Sequence, residues 1–407
     1  MSPFRSWAAR GLWVVALLGT GAGLAHAQDT PLADAPMHLG PLSVTPTLEL
    51  VQLGVDTNVF NESGDPVSDY TFRGGPRVAV ELPLSRLLVT ASSTVDYLYF
   101  HRFTHLRGFN VDFDTRAEFR LRRATFFFNN SFENTTDRLN LEIDARARHM
   151  TNSTEAGLNV QLFSKLSVEI AERESFVDFS RDNLVGARLA NTLNRTTSAA
   201  RAAVQYDLTP LTTLSLIGEA RQDRFESSGS RDTESWSATT KVELQPRALV
   251  SGEAEVGYRK LQGRDVSLPD FSGLVTAVGL SSTLFGSTML DVTARREIEH
   301  SFEALEPYYV AGGVGVSIVR RLTQAFDVRM QVQQVHHRYR RFQSATAVGA
   351  PSGRVDTLRN YSAGVVHRFP QGTAVGFDLG YWSRRSNSRT DLDYEGLRAG
   401  LTSTFAF

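Results

Sequence analysis

Cysteine is absent from this chain. That excludes disulfide stapling, thiolate metal sites and lipid attachment to an N-terminal cysteine. Lysine is almost absent too: among 43 basic residues only Lys165, Lys241 and Lys260 are lysines, and the rest are arginine. No charge of one sign dominates. The net charge is -1 at pH 7, so no global field favours nucleic acid or an anionic surface. After the N-terminal stretch there is no apolar run of the ~18–20 residues that a membrane helix needs. A Gly-x-Ser-x-Gly elbow and a His-Glu-x-x-His helix are both missing.

What is present begins with "MSPFRSWAARGLWVVALLGTGAGLAHAQDT". Arg5 and Arg10 form a basic n-region, Leu12 to Leu24 a short apolar core, and Ala25-His26-Ala27 a small-x-small cleavage site. This is the pattern of a secretory signal peptide over residues 1–27. A membrane anchor is the competing reading, but the apolar run is short for a span. Residues 28–43 read as a flexible periplasmic lead.

From residue 44 onward the dominant signal is strict alternation. In "FNVDFDTRAEFRLRR", Phe109, Val111, Phe113, Ala117 and Phe119 share one face. Asp112, Asp114, Arg116, Glu118 and Arg120 share the other. A helix would spread these charges around its circumference, whereas a strand separates them. The pattern recurs about eighteen times, over 44–58, 68–82, 87–102, 109–122, 124–136, 145–162, 166–179, 192–208, 211–225, 232–245, 249–262, 273–285, 287–302, 307–319, 323–342, 355–369, 373–388 and 392–407. Sixteen strands remain an alternative if the register is misread. The runs exceed ordinary globular strands and suit tilted membrane strands.

Connections alternate between very short ones, such as Ser164-Lys165 and Pro370-Gln371-Gly372, and longer polar ones, such as "NESGDPVSD" and "DFSRDNLVGARLANT". Short turns at one end and longer loops at the other describe an all-β, antiparallel up-and-down barrel in the outer membrane, spanning 44–407. A secreted sandwich, propeller or solenoid is the competing architecture, but would use shorter strands. An even strand count leaves both termini on the periplasmic side. The last stretch, "GLRAGLTSTFAF", fits as the closing strand. Leu401, Phe405 and the terminal Phe407 resemble the C-terminal signal read by the barrel assembly machinery, with Ser403 an imperfection in the row.

One short segment resembles a known family. In "LELVQLGVDTNVF", Gly54, Asp56, Thr57, Asn58, Val59 and Phe60 match a Gly-x-x-Asp-Ser/Thr-Asn-hydrophobic-aromatic segment. That segment is typical of an outer-membrane β-barrel porin family associated with exopolysaccharide and exosortase gene clusters. The resemblance implies a passive pore or conduit linked to exopolysaccharide biosynthesis or export, with no catalytic residues to carry over. Read locally, Asp56 and Asn58 end a strand and open a loop by bonding their own backbone.

Parity gives the candidate lumen. Its acidic members are Asp112, Asp114, Glu118, Glu169, Glu219, Glu243, Glu253, Glu255, Asp291, Glu297, Asp327 and Asp378. Its basic members are Arg77, Arg116, Arg120, Arg173, Arg201, Arg221, Lys241, Arg259, Arg295, Arg329, Arg368 and Arg398. Mixed signs argue against strong charge selectivity. Arginine's planar fork suits carboxylates and sugar hydroxyls, and equally suits cross-bracing of the wall. Tyr97, Tyr99, Tyr308, Tyr309, Tyr381 and Trp382 read as an interfacial girdle.

An enzyme is not expected. His101 and His105 could act as bases but have no partner motif, and His336 and His337 point to opposite faces of a strand. No cofactor, metal or nucleic acid is expected, and residues 28–43 are too short for a receptor plug. Expected partners are outer-membrane lipid and lipopolysaccharide, the assembly machinery, and periplasmic polysaccharide-export proteins. The alternatives are a general diffusion porin for small solutes and a non-conducting structural or adhesive barrel.

Overall fold

The computed structural model describes residues 37–140, 142–143, 146–246, 248–342, 353–370 and 372–406. The signal-peptide segment, the first part of the lead and Phe407 lie outside them. The strands are β1 (Met37–Leu39), β2 (Leu42–Asp56), β3 (Asp69–Pro83), β4 (Leu87–Phe100), β5 (Gly108–Arg120), β6 (Ala124–Thr135), β7 (His149–Phe163), β8 (Leu166–Phe179), β9 (Arg195–Thr209) and β10 (Thr212–Phe225). They continue as β11 (Thr233–Leu244), β12 (Val250–Gly263), β13 (Phe271–Leu284), β14 (Thr288–His300), β15 (Tyr308–Arg321), β16 (Phe326–Arg340), β17 (Val355–Arg368), β18 (Ala374–Ser386) and β19 (Tyr394–Ala406). The described residues hold one α-helix, α1 (Leu184–Leu193), and no helix long and apolar enough to cross a membrane.

All 19 strands form one sheet. From β2 onward each strand pairs antiparallel with the next, and β19 pairs back onto β2. Eighteen strands thus close into a barrel, and the sixteen-strand alternative does not form. The barrel strands run from 12 to 15 residues, more than the ~9–11 that a tilted membrane strand needs. Between them, short turns such as 164–165 and 210–211 alternate with longer connections such as 57–68 and 180–194.

Residues 37–43, expected in the flexible lead, are instead ordered as β1 and the start of β2. β1 turns at Gly40, whose φ is +63°, and pairs with Leu42, Ser43 and Val44. β19 reaches only as far as Thr47 on that edge. β1 therefore covers backbone groups of β2 that the last strand does not reach. Other boundaries differ from the expected ones by a few residues, as at β16, which begins at Phe326 rather than at 323. Residues 146–148 precede β7 as loop, and 192–194 belong to α1 and its C-terminal cap rather than to β9. α1 is capped by Asn183, whose Oδ1 accepts from Gly186 N at 2.7 Å, the usual role of Asn at that position. Its inner face buries Leu189, Ala190 and Leu193.

Register assigns each residue a face. In β5, Phe109, Phe113 and Phe119 are 59%, 40% and 42% exposed, whereas Asn110 and Glu118 on the other face are buried. The exposed apolar row continues around the ring through Ile170, Leu216, Trp236, Val314, Met330, Phe377 and Leu401. This is a lipid-facing belt. Ser403 lies in that row, and its hydroxyl donates to Ala374 O at 2.9 Å, so no free donor faces hydrocarbon.

The seam between first and last strands is tightly fitted. A Cβ on Gly54 would lie 1.9 Å from Ala399 O, so only glycine lets β2 approach β19 there. Asp56 Oδ1 accepts from Asn58 N at 3.0 Å, which is the expected local turn. Asn58 goes further: its Nδ2 donates to Glu62 O and to Glu395 O, and its Oδ1 accepts from Glu62 N, each at 2.9 Å. Thr57 Oγ1 accepts from Leu397 N at 2.8 Å. Arg398 Nη2 donates to Asp56 Oδ2 at 2.7 Å. The segment that resembled a family signature is the clasp that closes the barrel.

Folded protein in detergent should migrate faster on gels before heating than after, and a purely soluble, non-shifting species would contradict the barrel. Asn58→Ala should lower the temperature of that shift, since three bonds at roughly 1 kcal/mol each are lost. Gly54→Val should do the same by ~1–3 kcal/mol of overpacking or more. Unchanged transitions in both variants would show that the clasp does not hold the seam.

Candidate functional site

The inward face carries charges, and many of them are paired. On β5, Arg116 and Arg120 both contact Glu118, the former at 2.7 Å. Asp112 and Asp114 sit on the same face, opposite Thr94 and Ser92 of β4 and opposite Glu133 and Ser131 of β6. Arg201 lies 3.6 Å from Glu169. Arg295 meets Glu297 at 2.8 Å, and Arg259 spans Glu219 and Glu297 at 3.1 and 3.2 Å. Arg329 grips Asp378 through two nitrogens, at 3.1 and 2.9 Å. Arg368 Nε is 2.5 Å from Asp327. Lys241 reaches Glu253 at 2.5 Å. The pairs on Glu118 and the Arg295–Glu297 pair lie within one strand, whereas those of Arg201, Lys241, Arg259, Arg329 and Arg368 run between strands one or two apart and brace the wall.

The barrel is not an empty tube. The described residues of the β6–β7 connection (136–140, 142–143 and 146–148), which no sequence motif singled out, reach into it. Thr136 N donates to Asn110 Oδ1 at 3.0 Å, and Arg73 on β3 donates to Asp137 Oδ2 at 2.6 Å. Arg138 Nη2 donates to Val59 O at 3.1 Å. Asn140 Oδ1 then accepts from Glu142 N and Ile143 N at 3.0 and 3.1 Å, making a turn. The turn delivers Glu142 to the far wall. There Ser301 Oγ donates to Oε1 at 2.5 Å, Phe302 N donates to Oε2 at 3.2 Å, and Arg384 Nη1 donates to the Glu142 carbonyl at 3.2 Å. Ser301 and Phe302 lie between β14 and β15, nearly opposite β6 and β7 in the ring.

Apolar packing seats the loop. Ile143 and Ala147 are buried with Phe179 of β8 and with Leu189, Ala190 and Leu193 of α1. The wall that Glu142 meets is a polar core of its own. Asp356, fully buried, accepts from Arg384 at 2.7 Å and from Arg354 at 2.8 Å. Arg354 also contacts Glu306 and Glu303 at 2.9 and 3.1 Å, and its guanidinium lies 4.0 Å from the Tyr339 ring centroid. Tyr309 stacks on His337 at 4.3 Å and donates to Glu299 at 2.7 Å.

Burial governs protonation in the loop. It pushes the Glu142 carboxyl up to about 8, against the opposing pull of Ser301 and Arg384. Burial also works against a charge on Asp137, yet Arg73 and Arg146 hold that carboxyl below its ordinary range. For Arg146, burial and the nearby Arg138 lower the guanidinium to about 10.

Three aromatic expectations need correction. Tyr309 and Trp382 were expected at the lipid interface, but both face inward. Trp382 donates to Asn61 Oδ1 at 2.9 Å and lies under Arg398. Tyr308 is buried, with its hydroxyl on Pro269 O at 2.9 Å. The histidines do not converge. His336 bonds Thr357 at 3.0 Å on one face, while His337 is buried on the other. His101 and His105 lie near the β4–β5 connection. Among the described residues no group of three or more His, Asp and Glu is placed to hold a metal. Of the C-terminal residues, Leu401 and Phe405 face outward, 44% and 40% exposed.

Removing the shared anion at the far wall should be costly, because breaking a buried ion pair leaves an uncompensated charge. Asp356→Ala strands both Arg354 and Arg384 and should destabilise the barrel by about 3–5 kcal/mol, seen as an earlier gel-shift transition; an unchanged transition would refute the pairing. The fold has known counterparts. Over 91% of this chain and 100% of the other, it resembles OccAB3 of Acinetobacter baumannii, at 9% identity and a TM-score of 0.50. It is also similar to two Pseudomonas aeruginosa proteins. One is the outer membrane protein opdK (9% identity, 90% and 99% of the two chains, TM-score 0.47), and the other is OprD (10%, 92% and 98%, 0.46). At such identities the likeness concerns fold alone. No curated protein matches the chain. The family described as "Putative beta-barrel porin 2" matches residues 31–407. The chain therefore belongs to that family, as a porin-like β-barrel of the outer membrane.

Proposed function

We propose that the protein is a passive outer-membrane pore or conduit for hydrophilic solutes, delivered to the membrane after cleavage of residues 1–27. The observation that carries this reading is the inward face. A barrel that served only as a lipid-embedded anchor has no need of a continuous interior lining of ionised side chains. Here the acidic and basic residues alternate around the ring, from Arg116 and Glu118 through Arg259 and Glu297 to Arg329 and Asp378. Such a lining keeps water and polar solutes favourable inside, and its balanced signs leave little preference between cations and anions.

The finer part of the proposal is a link to exopolysaccharide production or export. It is supported by the resemblance of the Gly54–Phe60 segment to a family found with such gene clusters, and by arginine forks suited to sugar hydroxyls and uronic carboxylates. Passage needs no covalent chemistry. The partners that fit are lipopolysaccharide around the apolar belt, the assembly machinery at the last strand, and periplasmic export proteins below.

Purified protein in planar bilayers should give conductance steps with a reversal potential near zero in a salt gradient. The double variant Arg259→Gln/Arg295→Gln strips two cations from Glu219 and Glu297 and should shift the reversal potential toward cation preference. Absence of conductance both from wild type and from a variant whose 137–147 segment is replaced by a Gly-Ser linker would defeat the pore. A deletion strain with unaltered secreted polysaccharide would defeat the exopolysaccharide link alone.

A further inference from the structure

Two carboxylates stand on the outward face of the wall. Arg173 of β8 points inward, 3.2 Å from Glu219, so the period of two turns Glu172 and Glu174 outward with Ile170. Both are exposed. Their height can be read from the short turns, which mark one rim of the barrel. Glu172 is the seventh residue of β8 from its turn end at Leu166, and Glu174 is the ninth. On other strands the apolar belt climbs higher. Phe109 is the twelfth residue from the turn end of β5 and Leu274 the eleventh from that of β13, and they are 59% and 54% exposed. The two carboxylates thus lie within the height of the belt. Among the described residues neither has a hydrogen-bond or ion-pair partner. Ionised groups at such a depth are rare, and are satisfied by other protein groups or by water.

The patch around them is shallow. Glu172 lies between Ala156 of β7 and Ala200 of β9. Beyond, Ala202 is opposite Gly218 of β10, and Ala200 is opposite Ala220. Small residues in a membrane-facing surface let another protein approach closely.

A second outward patch has the opposite sign. Arg295 of β14 points inward to Glu297, which turns Arg296 outward. Arg296 is aligned with Gly312 of β15 and His336 of β16, and a Cβ on Gly312 would meet nothing within 4 Å. Arg296 has no partner among the described residues. On β17, Arg359 is exposed, and its Nε donates to Gln334 Oε1 at 3.1 Å. Arg296 is the ninth residue from the turn end of β14, and Arg359 the tenth from that of β17. That is the height of Glu174.

We propose that the barrel associates side by side with further copies of itself, the Glu172 and Glu174 face of one copy resting against the Arg296 and Arg359 face of the next. Barrels in one bilayer share a common height, so only groups that are level can pair, and these are level. Setting two acidic faces together would gather four carboxylates with no cation. β8 and β16 stand eight strands apart in a ring of eighteen, so the two contacts leave each barrel in nearly opposite directions. A head-to-tail contact of that geometry does not close into a dimer or a small ring. It builds rows. Within a row each carboxylate leaves hydrocarbon, and each guanidinium gains an anion that suits its planar fork. The association does not depend on what crosses the lumen.

The absence of native cysteine gives a direct test. Ala200→Cys and Gly312→Cys each place one thiol beside its patch, opposite Glu172 and Arg296 respectively. Full-length purified proteins, each confirmed as heat-shifting barrels, are mixed in liposomes and oxidised with copper-phenanthroline. The 200–312 disulfide should form in preference to 200–200 and 312–312, and a chain bearing both cysteines should give a ladder of dimers, trimers and larger species. Glu172→Arg/Glu174→Arg in the first protein, or Arg296→Glu/Arg359→Glu in the second, should lower the mixed product by roughly tenfold or more. Mixing the two reversed proteins should restore it, an outcome that misfolding cannot mimic. Should a reversal fail to fold, Glu172→Gln/Glu174→Gln must still lower the product. A dominant 200–200 product, a yield indifferent to these charges, or reversed proteins that do not rescue each other would overturn the proposal. So would the absence of a 200–312 product from purified protein, even where the same cysteines capture a different protein in cell envelopes.

Discussion

A sheet that crosses hydrocarbon has no tolerance for a free edge, because each unpaired N–H or C=O there costs several kcal/mol. The rest of this structure depends on meeting that demand at one place, where β2 and β19 come together. Gly54 permits the approach, Asn58 ties the β2–β3 connection to Glu395 O, and Thr57 exchanges bonds with Leu397. Below the described reach of β19, β1 folds back and pairs with Leu42, Ser43 and Val44 of that edge. β2 also carries a register shift near Val51, seen in its pairing with both β3 and β19. A bulge of this kind bends a strand locally, and here it sits in the strand that has to meet two partners from opposite ends of the chain.

Once closure is secured, the period of two does the remaining sorting. Every strand has one face in lipid and one toward water, so ionised side chains accumulate inside and must be neutralised there. Arginine suits this better than lysine. Its flat fork lets Arg259 serve Glu219 and Glu297 together, and lets Arg329 hold Asp378 while also reaching Thr402. Lysine is a point charge with no fixed fork, and the one lysine on the inward face, Lys241, has its shortest contact with a single carboxylate, Glu253. The scarcity of lysine therefore has a structural correlate in this lumen.

This sorting is what made the fold legible from the sequence. Alternation such as that from Phe109 to Arg120 is a direct image of the two environments, and the strand positions follow from it closely. The Gly54–Phe60 segment was visible as a motif but not as a clasp, since its partners Glu395, Leu397 and Arg398 lie more than 300 residues away and no local pattern points to them. The same limit hid the interior loop. "TDRLNLEIDARAR" has the composition of an ordinary polar connection, and the placement of its described residues is decided by groups on β3, α1, β18 and the β14–β15 connection together. Tyr309 and Trp382 misled for a related reason. An aromatic near a strand end reads as an interface anchor unless the strand's parity is followed to the end, and parity turns both inward.

The interior loop also explains how a barrel can hold a buried carboxyl without losing its wall. Replacing water around Glu142 with protein is unfavourable for the charged form, and a buried ion pair seldom recovers the whole desolvation cost. The wall avoids depending on that recovery. Arg354, Arg384, Asp356 and Glu306 pair with one another, and Arg384 reaches the Glu142 carbonyl rather than its carboxylate. The loop's own seat is partly apolar, through Ile143 and Ala147 against α1, and partly a set of exchangeable hydrogen bonds. A carboxyl held by a hydroxyl and a backbone N–H, and not by a guanidinium, loses its charge more readily on burial than one that is ion-paired, which is why burial raises Glu142 while Arg73 and Arg146 keep Asp137 low.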